Sequence, residues 1–259
     1  MISVEYTGDV AVVRLDRPPA NAIELELARR VEAVFDELLG PERSTRAIVL
    51  TGAGKFFSGG LDLRVVPTYG PAEQREFLSA ANRMLERLYG CPLPVVAAVG
   101  GHAVAAGFVL ALTADYRVGP LEGAEFGLTE VRLGIPFPAG AAIVIDSELT
   151  AEAARKIVLD GRRFGCEQAR AFGVLDELVP AGRVLERAVE IALDRASMPA
   201  DGYARIKRQV RGRALERMQA VLSGGDPLLD SWLGEGAAEN SAALLSDPSR
   251  TGGGRGGGA

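Results

Sequence analysis

Apolar and polar positions change their spacing repeatedly along the chain, and each change marks an element. ISVEY (2–6) and VAVVRL (10–15) are short runs rich in β-branched residues on either side of TGD, which predicts a hairpin. After the break DRPPAN, apolar Ile23, Leu25, Leu27, Val31, Val34, Phe35 and Leu38 recur at helical spacing, with Asn21 as the expected N-cap and an end near Leu39. AIVLTG (47–52) reads as a buried strand, and AGKFFSGG after it as a Gly-rich turn. PAEQREFLSAANRMLERLYG (71–90) is amphipathic, with Pro71 at a favoured starting position and Gly90 just past the end. PLPVVAAVGG predicts another buried strand, then a Gly/Ala turn, then an apolar helix over 105–114. Short strands follow at 115–119 and 124–127, helices at 138–147, 150–159 and 167–172, and a strand at 176–180. Helical patterns then cover 181–196, 200–222 and 226–245.

Strands alternating with helices, followed by helices alone, predict an α/β protein with a helical C-terminal extension. The expected division is a core over 1–195, a helical region over 196–247 and a Gly-rich tail over 248–259, to which no function is assigned. The 259 residues are 47% apolar, enough to bury a sizeable core. The net charge of −5 comes from interspersed acidic and basic residues, so neither nucleic acid nor a membrane surface is an expected partner. No apolar run reaches the ~18–20 residues a spanning helix needs. MISVEYTGDV lacks a secretory pattern, and a cytoplasmic setting is expected. Cys91 and Cys166 lie too far apart for a zinc motif, and His102 is the one histidine, so no metal site and no His-centred triad is expected.

The candidate chemistry lies in two glycine turns and one carboxylate. LTGAGKFFSGGLDLR (50–64) and AVGGHAVAAGFVL (98–110) each follow a buried strand and carry small residues that let backbone N–H groups approach a ligand. The second turn opens a helix whose first N–H groups have no intrahelical partner. Two such donors aimed at one point would form an oxyanion hole, although Gly-rich joints also occur simply for packing. Neither turn has the spacing of a phosphate loop. Glu130 sits among Phe126, Leu128, Val131, Leu133 and Ile135, so a raised pKa and a base role near neutral pH are expected.

Taken in order, RPPANAI (17–23), TGAGKFFSGGLDL (51–63), PVVAAVGGHAVAAG (94–107), ADYRV (114–118), GLTEVRLGIP (127–136) and GRRFGCEQARAFGVLDELV (161–179) resemble the crotonase superfamily, the enoyl-CoA hydratase/isomerase family. The resemblance implies a spiral of ββα turns, a helical C-terminal region that mediates trimerisation, and a homotrimer or hexamer. It implies an acyl-CoA thioester substrate, with coenzyme A as part of the substrate and no separate cofactor. By position, the oxyanion-hole amides would be those of Leu61, within the stretch containing Gly60, and Ala106, beside Gly107. Ala20 and Ala22 would line the coenzyme channel, and Lys55 and Arg64 would lie near its phosphates unless they are ordinary surface charges. His102 is given a packing role.

One departure bears on the reaction. Hydratases of the family use two glutamates; the second matches Glu130, but the first falls at Val109, which can neither hold nor deprotonate water. GLTEVRLGI is similar to the corresponding segment of single-glutamate Δ3,Δ2-enoyl-CoA isomerases, so isomerisation with Glu130 as proton shuttle is expected. The alternatives are a hydratase, another acyl-CoA reaction such as hydrolysis or decarboxylation, and a non-catalytic acyl-CoA binder.

Overall fold

A computed structural model describes residues 1–41 and 44–227. The helical pattern read beyond 227 and the Gly-rich tail lie outside the described residues. Strands β1 (Ile2–Thr7) and β2 (Val10–Leu15) form the expected antiparallel hairpin, in register from Ile2 opposite Leu15 to Thr7 opposite Val10. Strands β3 (Ala47–Gly52), β5 (Val95–Ala98), β7 (Tyr116–Pro120) and β9 (Glu177–Val179) continue the sheet in parallel, in the order β1-β2-β3-β5-β7-β9. Both faces of its centre are covered. Val10, Val12, Val49, Val96 and Ala98 pack under helix α8 (Val184–Ala196), while Ala11, Val13, Ile48, Leu50 and Ala97 face the main core. That two-sided burial is why β3 and β5 are continuously apolar.

A second sheet holds β4 (Phe56–Ser58), β6 (His102–Val104) and β8 (Phe126–Gly127), all parallel and in the order β4-β6-β8. The first two lie within segments expected to be turns. Each pass of the chain lays down one strand in the large sheet and one in the small sheet, and then a helix. The helices are α2 (Pro71–Tyr89) after β4, α3 (Ala106–Leu112) after β6, and α4 (Glu130–Leu133) with α5 (Ala139–Glu148) after β8. This is the spiral of ββα turns that the motifs imply. Helices α6 (Ala151–Asp160) and α7 (Cys166–Ala171) follow before β9. The segment 181–183 is a single tight turn rather than the start of α8.

Helix α1 (Leu25–Leu38) corrects the expected cap. Glu24, not Asn21, caps it, its carboxylate accepting from Leu27 N at 2.8 Å and Glu26 N at 2.9 Å. Asn21 adopts φ +50° and turns its amide to the neighbouring loop instead. Helix α2 starts as expected at Pro71, with the Glu73 carboxylate accepting from Gly70 N at 3.0 Å.

The long C-terminal helix α9 (Ala200–Gly224) is tied to the core through charge. Arg211 is buried, and its guanidinium donates to the carbonyls of Tyr89 (3.0 Å), Thr113 (2.9 Å) and Ala114 (3.1 Å). These belong to the last residue of α2 and the two residues after α3, whose carbonyls lack helical partners. Asp115 at 3.2 Å and Glu148 at 3.5 Å balance the charge, and the guanidinium lies 4.0 Å from the centre of the Tyr89 ring. Removing one member of such a network strands the others without partners. Arg211→Met is therefore expected to lower the unfolding free energy by about 3–5 kcal/mol in urea titrations. A transition midpoint equal to the parent's would show that the anchor is dispensable.

Candidate active site

Because β4, β6 and β8 are parallel neighbours, the segments leaving their carboxyl ends converge. They carry Gly59–Leu61, Ala105–Ala106 and Thr129–Glu130 respectively.

The first segment is held by pairing to the stretch ahead of α1. Ile23 N donates to Gly60 O at 2.7 Å and Asp62 N to Ile23 O at 2.8 Å, a bridge that leaves the Leu61 N–H directed elsewhere. Asn21 straps the same loop. Its Nδ2 donates to the carbonyls of Ala53 (3.0 Å) and Phe56 (2.8 Å), and its own carbonyl accepts from Ser58 Oγ at 2.8 Å. Arg17 pairs with Asp62 at 2.7 Å and closes the outer side.

The first and second segments meet with no room for a side chain at Gly60. A methyl group on Gly60 would fall 2.8 Å from Ala105 Cβ, 2.9 Å from Val104 O and 3.2 Å from Ala106 N; Gly60 also has φ +91°. A methyl group on Gly107 would lie 2.1 Å from Ser58 O. Ala105 itself sits at φ +52°, ψ −128°, a conformation costing on the order of 1–3 kcal/mol for a residue with a side chain. It is held there by donating to Gly127 O at 2.8 Å and accepting from Phe108 N and Val109 N at 2.9 and 3.2 Å. Among the described residues, neither the Leu61 N–H nor the Ala106 N–H meets a protein acceptor.

Glu130 opens the one-turn helix α4, which Gly134 closes at φ +64°. Arg132 fastens this turn to the end of α6, donating to Gly161 O at 2.7 Å and Asp160 O at 2.8 Å. Glu130 Oε2 is shut off from solvent and has no hydrogen-bond partner. Burial pushes the carboxyl up from its ordinary 4.5 to about 7, against the smaller opposing pull of the Glu130 and Thr129 N–H groups.

A cavity of about 110 Å³ joins these parts. Its walls include Leu61, Ala106, Val109 and Glu130, with Met84 and Leu85 of α2 behind. Asn82 on α2 accepts from Gly140 N at 2.9 Å, and Asp226, just past α9, accepts from Ala139 N at 2.8 Å and Asn82 Nδ2 at 2.9 Å, clamping that rear wall. Among the lining residues, Glu130 is the one carboxylate and Arg163 the one cation. Two unengaged N–H groups and a poised carboxylate on one apolar cavity can bind an anionic oxygen and move a proton beside it.

The enoyl-CoA hydratase/isomerase family model matches residues 5–234. The chain belongs to that family. Carnitinyl-CoA dehydratase of Escherichia coli K12 is 34% identical over 186 residues, covering 71% of this chain and 70% of that protein. The human mitochondrial delta3-delta2-enoyl-CoA isomerase superposes with a TM-score of 0.88 at 26% identity, over 95% of this chain and 96% of that one. An enoyl-CoA hydratase from Mycobacterium marinum gives 0.80 at 27% identity, over 90% and 99%.

Of the positions that the enoyl-CoA hydratase/isomerase motifs single out, Leu61, Ala106, Val109 and Glu130 line the cavity. Gly60 and Gly107 lie beneath it as close-contact points. Ala20 and Ala22 stand on the strap outside it: Ala20 O accepts from Gly59 N at 2.8 Å and Ala22 O from Arg17 Nη1 at 3.2 Å. Lys55 and Arg64 are exposed on either side of the Gly59–Leu61 segment and do not line the cavity. His102 has a packing contact, its ring 4.9 Å from Phe56, and its Nδ1 accepts from Glu125 N at 3.1 Å. The motifs did not single out Asn21 as a loop strap or Arg163 as a cavity residue. Asn21 resembles an N-cap in its local sequence, and Arg163 is one of two adjacent arginines with nothing to separate them.

Two outcomes follow from this packing and burial. Gly60→Ala is expected to destabilise the protein by about 1–3 kcal/mol in urea titration, since it combines overpacking with a positive φ; a midpoint equal to the parent's would show that the two turns can separate at no cost. The second concerns pH. Unfolded, the Glu130 carboxyl titrates near 4.5; folded, near 7. The stability it contributes when protonated is therefore complete below about pH 4.5 and lost as pH rises to 7. Glu130→Gln avoids that loss, so its stability relative to the parent should rise by about 3 kcal/mol between pH 4 and pH 8. A difference that stays flat over this range would place the carboxylate in water.

Proposed function

We propose that this chain is an enoyl-CoA isomerase that converts 3-enoyl-CoA to 2-enoyl-CoA with Glu130 as its single proton carrier. The observation that carries the reading is that Glu130 is the one carboxylate lining the cavity, while Val109 contributes only an apolar wall. In the proposed reaction the C2–H bond breaks and its proton passes to the Glu130 carboxylate. The electron pair spreads into a dienolate with its charge on the thioester oxygen, where the N–H groups of Leu61 and Ala106 meet it. Each such donor is worth about 2.7–4 kcal/mol of barrier. The protonated Glu130 then returns its proton at C4 as the C2–C3 double bond forms. Atoms and electrons balance without a co-reactant. A carboxyl titrating at about 7 suits both halves of the cycle, being ionised often enough to accept and acidic enough to give back.

Likeness to the human isomerase supports this reading. The dehydratase relative supports a second one, addition or removal of water. That reaction needs a group to position water as well as a proton carrier, and the cavity supplies one carboxylate. For the rest of the substrate, we assign the backbone at Ala20 and Ala22 to the coenzyme channel and the exposed cations Lys55 and Arg64 to its phosphates. A homotrimer is proposed on the strength of Ile206 and Val210, which are 62% and 80% exposed on α9.

The test is direct. Purified protein should convert 3-hexenoyl-CoA to the conjugated ester, and in D₂O it should exchange label at C2 and C4. The value of kcat/KM should rise with pH through about 7, as ionised Glu130 becomes available. Glu130→Gln should lower kcat by about a hundredfold or more while hexanoyl-CoA binding is kept. Efficient hydration of crotonyl-CoA with no isomerisation, or full turnover in the Gln variant, would overturn the proposal.

A further inference from the structure

Arg163 is the one charged group in the cavity wall that the proposed reaction does not use. Its backbone is pinned beside β8. Phe126 and Phe164 exchange hydrogen bonds of 2.9 Å in both directions, and Gly127 packs so closely that an added methyl group would lie 2.6 Å from Arg162 O and 3.2 Å from Arg163 Cα. The strand that leads to Glu130 thus also fixes the start of the arginine side chain.

The guanidinium is poorly matched by the protein. Its Nη1 reaches Glu125 at 3.5 Å, a long contact to a carboxylate whose side chain is 42% exposed. Its Nε is buried with no hydrogen-bond partner. Neighbouring cations differ: Lys156 pairs with Glu152 at 2.6 Å and Arg162 with Asp160 at 3.3 Å. Arg163 also lines an outer groove of about 750 Å³, with Phe164 and Phe172 beside it, so it stands between the cavity and that groove. With Nη1 turned to Glu125, the Nε–Nη2 edge is left over, and two parallel N–H groups on such an edge match the two oxygens of a carboxylate. An acyl group ending in a methyl would leave the buried Nε without an acceptor.

We propose that Arg163 is a specificity-determining residue that binds a carboxylate at the far end of the acyl group, so that the preferred substrates are acyl-CoA esters ending in an acid. The inference rests on reading the cavity as an acyl-CoA site, but not on which reaction occurs there.

Unreactive saturated esters separate the two questions. Calorimetry with glutaryl-CoA and pentanoyl-CoA, matched at five carbons, should show the parent protein binding glutaryl-CoA at least about tenfold more tightly. Arg163→Met should erase that preference by weakening glutaryl-CoA binding at least about tenfold more than pentanoyl-CoA binding, with a cooperative thermal transition showing that the variant is folded. Arg163→Lys should restore part of the preference. Equal binding of both esters by the parent, or equal weakening of both in Arg163→Met, would overturn the proposal. Retained preference for glutaryl-CoA in Arg163→Met would do the same. Binding of neither ester by the parent would count against the acyl-CoA site itself and would take this inference with it. Loss of isomerase activity in Glu130→Gln, by contrast, leaves the binding preference intact.

Discussion

The site depends on two stretches of backbone approaching closer than side chains would allow. Gly60 faces Ala105 and Ala106 across a gap that a single methyl group would close, and Gly107 rests on the Ser58 carbonyl. Glycine at 60 and at 107 permits this contact, and the contact carries the Leu61 and Ala106 segments to the same cavity. Ala105 is held in a conformation that an alanine does not favour, opposed by hydrogen bonds from both sides. The cost is local and the restoring forces are tertiary, so the geometry belongs to the fold as a whole. Donors held in this way need not reorganise when charge develops in front of them, which gives fixed backbone dipoles their advantage over mobile side chains.

The same architecture accounts for the placement of Glu130. Parallel strands β4, β6 and β8 end side by side, so the third segment delivers Glu130 beside the other two. A one-turn helix is too short to hold itself, and Arg132 supplies the missing support by gripping the end of α6. The result is a carboxylate oxygen facing an apolar cavity without a partner. Desolvation raises its proton affinity, and no nearby cation is needed to tune it. Arg163 on the same wall does not figure among the causes of that shift. This fits a cation whose business lies with another part of the ligand.

Much of this was legible in the order of residues, and what was missed has physical reasons. The long strands and amphipathic helices announce themselves through burial on one or both faces, and α2 falls within a residue of its expected bounds because Pro71 and Gly90 punctuate it. Strands β4 and β6 span three residues each, too few for a period to register, and the glycines around them read as turns, whereas β8 falls within the strand expected at 124–127. Asn21 was misread because the residue type suits both a helix cap and a loop strap; the distant carbonyls of Ala53 and Phe56 settle which it becomes. That Glu130, Leu61 and Ala106 share one cavity is legible because small residues and a lone carboxylate recur in a known order. The place of Arg163 in the cavity wall depends on a bridge between Phe126 and Phe164, which no local pattern records.

A division of labour follows between backbone and side chains. The proposed donors at Leu61 and Ala106 carry no side-chain identity, so substitution could alter the walls of the cavity and leave the means of holding negative charge intact. Val109 sits one helical turn from Ala106 on α3, buried and lining the cavity. A carboxylate at that place would add a second polar group able to order water; valine supplies an apolar wall instead, which in the proposed reaction leaves proton movement to Glu130. On the proposed reading, the difference between hydrating a double bond and moving it turns on one side chain of a short helix. The role proposed for Arg163 concerns a separate variable, since it would reward the far end of the acyl group without touching the reacting carbons. On these two proposals, chemistry and selectivity are set by different residues around one cavity, both drawing on the backbone donors beside it.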